Sequence, residues 1–211
     1  MNPTKDRILK RLYDAREGHT LTQQDIPLND PSIYVEPSKD LTENFRSKLE
    51  PLGGIFHQVE SLEDAAILIA GLAKEENWSS VFCLDPVLLS ALKNKTEVCS
   101  FPENFDELQV GITSCEYLVA HLGSVMVSSK SFSGRRLHVF PETHIIVAHR
   151  EQLVIWLDDA LQKIRKKYEG SLPSMISNIT GPSRTADIEK TLVKGMHGPR
   201  KLIVILCQTP F

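Results

Sequence analysis

Residues 176–207, ISNITGPSRTADIEKTLVKGMHGPRKLIVILC, decide how this chain reads. The pattern predicts a strand, a tight loop, a short helix, a second tight loop and a second strand, which is a βαβ unit. In such a unit the loop after the first strand lies at the carboxyl edge of the sheet, where α/β proteins bind ligands. Gly181 and Pro182 make the turn, and Ser183, Arg184 and Thr185 open the predicted helix. Amides at a helix start lack intrahelical acceptors and sit at the positive end of the dipole, which suits a phosphate or carboxylate. Arg184 adds a bidentate donor. Gly181, Ser183, Arg184 and Thr185 are therefore the candidate ligand-binding residues. A plain β–α turn accounts for the same residues, with Ser183 or Thr185 capping the helix and Asp187 in its first turn.

The second loop, Gly195-Met196-His197-Gly198-Pro199-Arg200, supplies two secondary candidates, His197 as a titrating group and Arg200 as an anion contact. A helix of about 10 residues would hold the two loops roughly 15 Å apart, so His197 is expected at the sheet edge opposite Arg184.

Working outward, residues 3–17 read as an amphipathic charged helix, and 18–40 as an irregular arm rich in Pro, Asp and Ser. Residues 1–40 thus form an N-terminal helix and arm, and 41–211 an α/β domain. A helix over 41–52 stops at Gly53-Gly54. Strands follow at 54–59, 80–84, 97–100, 109–113, 124–128 and 143–148. Ser61-Leu-Glu-Asp64 has capping-box spacing and opens a helix to about Glu76. Pro86 starts a short helix. Residues 114–122 read as a short helix closed by Gly123, and 150–168 as a long one, with Leu153, Leu157, Ala160, Leu161, Ile164 and Tyr168 on one face. Alternating strands and helices imply a sheet covered by helices on both faces.

The totals exclude several classes. The chain has 211 residues and a net charge of −3, which gives no electrostatic case for nucleic acid. No apolar run approaches the roughly 20 residues that span a bilayer. Cys83, Cys99, Cys115 and Cys207 contain no C-x-x-C, so no zinc or iron–sulfur site is expected from this chain alone. The charged opening helix is unlike a secretory signal, and reduced thiols in the cytoplasm are the simpler expectation. His138 and His144 lack an acidic partner at metal-ligand spacing, so no metal is expected.

Other candidates are single residues. Cys115 and Glu116 sit where a strand is predicted to give way to a helix, a position that can activate a thiol. His121, with Gly123 and Ser124, lies in another loop near a sheet edge, as a ligand or general base. Glu116 and His121 are the catalytic candidates. Lys130–Arg136 carries three cations and reads as a polar loop around Gly134. The apolar arm Ile33-Tyr34-Val35 leaves a homodimer open.

The segment ITGPSRTADIEKTLVKGMHGPRKLIVIL closely resembles the signature of the lactate-utilisation protein C family (LutC/YkgG), the LUD domain. The resemblance continues through Gly111-Ile112-Thr113, Ala120-x-x-Gly123-Ser124 and His144-Ile145-Ile146-Val147, and covers roughly 50–207. It implies a modified Rossmann-like sandwich similar to the NagB/RpiA/CoA transferase-like fold, with an N-terminal helical extension. It also implies a bacterial three-component system that oxidises L-lactate to pyruvate, in which the partner proteins carry the iron–sulfur clusters and this chain binds no cofactor. Coenzyme-A transferases use a glutamate nucleophile, which draws attention to Glu116. One departure stands out. Relatives often have Ala-Glu-Thr-Gly where this chain has Ala120-His121-Leu122-Gly123, replacing a carboxylate and a hydroxyl. The alternative is a stand-alone transferase, isomerase or cyclo-ligase acting on an acyl, sugar-phosphate or nucleotide substrate.

Overall fold

A computed structural model describes residues 3–18, 40–79, 81–93, 95–99, 108–188, 191–195 and 197–211. The chain divides into two compact units, 1–36 and 37–211. The first contains helix α1 (Pro3–Gly18), on which Ile8 and Leu9 are exposed. Ile33-Tyr34-Val35 and most of the arm expected at 18–40 lie outside the described residues.

The second unit is an α/β sandwich built on a six-stranded sheet. Its strands are β1 (Ile55–Val59), β2 (Val81–Cys83), β3 (Val98–Cys99), β4 (Val110–Thr113), β7 (Thr143–His149) and β12 (Lys201–Cys207). The order is β1-β12-β7-β4-β2-β3 and every pairing is parallel. Burial on both faces explains why β7 and β12 read as unbroken apolar runs. Side chains alternate between faces. Ile145, Val147, Ile203 and Ile205 meet helices α3 (Leu62–Glu75) and α4 (Pro86–Leu92), while Ile146, Ala148, Val204 and Leu206 fill a core on the other side.

That other side is not covered by helices, as the alternating pattern suggested, but by a second sheet. It contains β5 (Tyr117–Val119), β6 (Ser124–Ser128), β8 (Leu153–Val154) and β9 (Ile176–Ile179), in the order β8-β5-β6-β9. Helix α2 (Leu41–Leu49) sends Phe45 and Leu49 into the core between the sheets. Helix α5 (Leu157–Lys167) packs Ala160 and Ile164 on the second sheet's outer face. Among the described residues, no helix is long and apolar enough to cross a membrane.

Three predicted helices change. Residues 114–122 form β5 and a turn. Leu118 and Ala120 face one core and Val119 the other, which only an extended chain permits. The helix expected from Arg150 begins at Leu157, because Leu153–Val154 instead pairs in parallel with Leu118–Val119. The helix expected after Gly181 is absent. Residues there form an antiparallel hairpin of β10 (Arg184–Ile188) and β11 (Thr191–Lys194), consistent with the β-branched Thr185, Ile188, Thr191 and Val193.

Local hydrogen bonds fix two of the helix starts. Asp40 Oδ1 accepts from the amides of Thr42 and Glu43 at the start of α2, and Ser61 and Asp64 form the reciprocal capping box of α3. Gly53, at φ 87°, ends the 3-10 turn Glu50–Leu52 that follows α2.

Candidate functional site

The hairpin moves the candidate site. β9 belongs to the second sheet, so Gly181–Arg184 does not lie at the carboxyl edge of the parallel sheet. The loop Gly195–Arg200 leads directly into β12, at the amino edge, where Gly53-Gly54 precedes β1 and Glu142 precedes β7. The two loops are not separated by a helix length. The Ser183 amide donates to the Pro199 carbonyl at 2.8 Å, and the Gly195 amide to the Ser183 carbonyl at 3.1 Å. A hairpin returns to its origin, so its two ends are neighbours.

Glycine lets the backbones close here. Gly181 has φ 90°, and a Cβ on it would stand 2.9 Å from the Leu52 carbonyl oxygen and 3.2 Å from Arg184 Nη2. A Cβ on Gly53 would stand 3.8 Å from Arg184 Nη2. The Arg184 guanidinium thus rests between two glycine backbones, with the residue itself exposed. Thr185 is a β10 residue paired with Val193.

Gly123 and Ser124 reach the same corner. β6 runs antiparallel to β9 with Val125 opposite Ile179, which sets Ser124 beside Thr180. Gly123, at φ 61°, packs on the end of α2, where a Cβ would lie 2.4 Å from the Leu49 amide nitrogen. Ser124 is fully buried and its Oγ has no hydrogen-bond partner among the described residues. Next to the corner is a cavity of about 350 Å³, bordered by Gln109, Phe140, Glu142, Gly195, Gly198 and Arg200. Arg200 pairs with Glu142 at 3.4 Å, and both are exposed. His197 is exposed.

The catalytic candidates stand elsewhere. Glu116 is buried and every oxygen is engaged. Oε1 accepts from Ser128 Oγ at 2.5 Å and Tyr168 Oη at 2.8 Å, and Oε2 from Lys167 Nζ at 2.8 Å. Burial pushes its carboxyl upward, but these three hydrogen bonds and the Lys167 charge outweigh it and hold it below the usual carboxylate range. Ser128 and Ser124 lie at opposite ends of β6, about 13 Å apart. His121 turns its Nδ1 to the Ile155 carbonyl at 3.1 Å, and its ring lies 4.6 Å from that of Trp156. Cys115 is buried at a strand end rather than a helix start, and burial raises its thiol rather than activating it.

The sequence reading missed several partners. Glu142 joins Arg200 across 58 residues, and Lys167 joins Glu116 across 51. No local spacing signals such pairs. Thr113 Oγ1 meets the buried His144 Nε2 at 2.8 Å, and the His138 ring lies 5.5 Å from the His144 ring. Among the described residues, no group of three His, Cys, Asp or Glu side chains is placed to hold a metal ion.

Several known proteins are similar to this chain. A solved structure of a DUF162 family protein from Deinococcus radiodurans superposes with a TM-score of 0.57 at 19% identity, covering 79% of this chain and 96% of that one. It speaks for the fold alone. Lactate utilization protein C of Geobacillus kaustophilus (strain HTA426) is 37% identical over 103 residues, which is 48% of this chain and 43% of that protein. Its counterpart in Bacillus subtilis (strain 168) is 38% identical over 103 residues, with the same coverage of 48% and 43%. The chain therefore spans under half the length of these curated relatives. The model of the LUD domain matches residues 85–207, more than half of the chain, including Gly123, Ser124 and the whole of the hairpin. This chain belongs to the LUD domain family.

Proposed function

We propose that this chain is the cluster-free component of a bacterial iron–sulfur system oxidising L-lactate to pyruvate, working in the cytoplasm, and that it holds a small carboxylate or phosphate at Arg184. The relatives' shared name supports the pathway. The observation that carries the site is the exposed Arg184 guanidinium held between Gly53 and Gly181, beside Gly123-Ser124. A planar guanidinium presents a fork of donors that matches a carboxylate or phosphate. The helix start expected there is absent, so Arg184 supplies the main attraction, with the Ser183 backbone tying the two loops together. His197 and Arg200 belong to the neighbouring loop and border the ligand rather than grip it. Electron transfer takes place in the cluster-bearing partners.

Arg184→Ala is expected to weaken lactate or phosphate binding about tenfold or more, the value of a charge-assisted pair. Calorimetric titration measures it, with circular dichroism confirming the fold. Arg184→Lys should restore part of the affinity, since it keeps the charge and loses the fork. Equal affinity in all three proteins would defeat the assignment. The stand-alone enzyme reading has less support, because the Glu116 carboxylate is fully engaged. Turnover of an acyl or sugar-phosphate substrate by the isolated chain would favour it.

A further inference from the structure

The second unit carries a concentrated basic surface far from the Arg184 corner. Residues 129–136 and 163–175 hold seven cations against one acid, with a second acid, Glu116, pairing Lys167, although the whole chain is net −3. The two segments are braced together. Lys130 Nζ donates to the Ser171 carbonyl and, at 2.9 Å, to Ser171 Oγ. Arg135 Nη2 reaches Ser174 Oγ at 2.5 Å, and the Ser129 amide donates to the Met175 carbonyl at 3.0 Å. Lys130 and Lys167 stand 5.1 and 5.2 Å from the centre of the Tyr168 ring. Exposed apolar side chains project from the same loops, Phe132 at 66% and Leu172 at 55%.

Cations in the last turn of α5 are expected from its dipole. That does not account for the cations of residues 130–136, which the bracing brings to that helix end from a loop some thirty residues earlier. Nor does it account for a large aromatic left in water beside them. Charge around an exposed apolar tip is the composition of a protein interface, where an aromatic anchor enters a recess and the charged rim steers and orients the partner.

We infer that the loops 129–136 and 170–175, with the basic end of α5, form a docking face for an acidic protein surface that has an apolar recess for Phe132. Two observations favour a protein over nucleic acid. Lys130, Arg135 and Lys167 already spend donors on internal acceptors and cannot follow a phosphate backbone freely. The chain as a whole is net −3, which opposes the approach of an extended polyanion. The natural occupant is a cluster-bearing partner of the lactate-oxidising system, so the identity of the partner rests on the function proposed above, while the face itself rests on these contacts.

The test uses the full chain and the purified iron–sulfur proteins from the same host, with affinity measured by surface-immobilised binding at low and high salt. Two variants are compared with the natural chain. The triple change Lys163→Glu, Arg165→Glu and Lys166→Glu alters exposed positions on α5, and Phe132→Ser alters an exposed loop tip, so both should fold, as circular dichroism will verify. Each is expected to weaken binding about tenfold, and the triple change is also expected to flatten the salt dependence. Binding that both variants leave intact overturns the docking face alone. Absence of binding by the natural chain overturns the assembly reading and this face with it. Tight binding of a single-stranded RNA oligonucleotide, lost in the triple variant, would replace the protein partner with nucleic acid.

Discussion

Glu116 sits between three donors, and each of them is lost to it if the carboxylate is removed. Glu116→Ala leaves Ser128 and Tyr168 without their acceptor and should cost about 2–3 kcal/mol in urea unfolding. Its folded pKa is lowered, so it binds fewer protons folded than unfolded. That stabilisation is present above the unfolded carboxylate value and is lost as pH falls through the folded one. His144 and His138 act in the same direction by a different cause. Burial lowers His144 to about 3 and His138 to about 4, so both stay neutral where the unfolded chain is already charged. Stability should therefore fall as pH drops below about 6.5, and continue to fall down to the folded values. His144→Asn removes one titrating group, so the loss of stability between about pH 7 and pH 5 should shrink. Urea titrations at the two pH values measure this, and an unchanged loss would show that His144 is not responsible.

At the scale of elements, two glycines of like conformation carry unequal weight, Gly123 at the corner and Gly134 in the loop 129–136. Gly123 and Gly134 both have positive φ, 61° and 59°. A Cβ at Gly123 meets the α2 backbone, while nothing lies within 4 Å of one at Gly134. Gly134→Ala should cost about 1–2 kcal/mol, the penalty of the left-handed region for an L-residue. Gly123→Ala adds a backbone collision and should cost clearly more, in the same unfolding assay. Equal costs would mean that α2 moves aside freely. Local features of this kind were legible in the sequence wherever their parts lie within three or four residues, as in the Ser61–Asp64 box and the Asp85-Pro86 helix start. The stretch Ser183–Lys194 was not legible in the same way. Its charges and apolar residues fit a short helix as well as a hairpin, and the choice is made by pairing between β10 and β11. Likewise, Leu153 fits the face of α5 in sequence, but an open strand edge at Leu118–Val119 claims it.

For the molecule as a whole, the apolar runs at 143–149 and 201–207 announced a parallel sheet, and the class followed. What no run could announce was the second sheet, because its strands are short and two of its three pairings join distant segments. That sheet decides which side of the molecule the Gly181 loop occupies, so the loop's position could not be read from its own residues. The cysteines show the same division. Their lack of a cluster motif was plain from spacing, but only the packing shows Cys83, Cys115 and Cys207 as buried free thiols, with Cys83 raised to about 12 and Cys207 to about 11 by burial.

The strand order also has a consequence in time. β12 lies between β1 and β7, so β1 has no neighbour in the sheet until residues 201–207 exist. At ordinary rates of synthesis, that interval is roughly ten to thirty seconds. Throughout it, Ile55–Val59 and the apolar helix α3 behind it emerge from the ribosome before their sheet neighbour, leaving an unpaired strand edge open to the wrong partner.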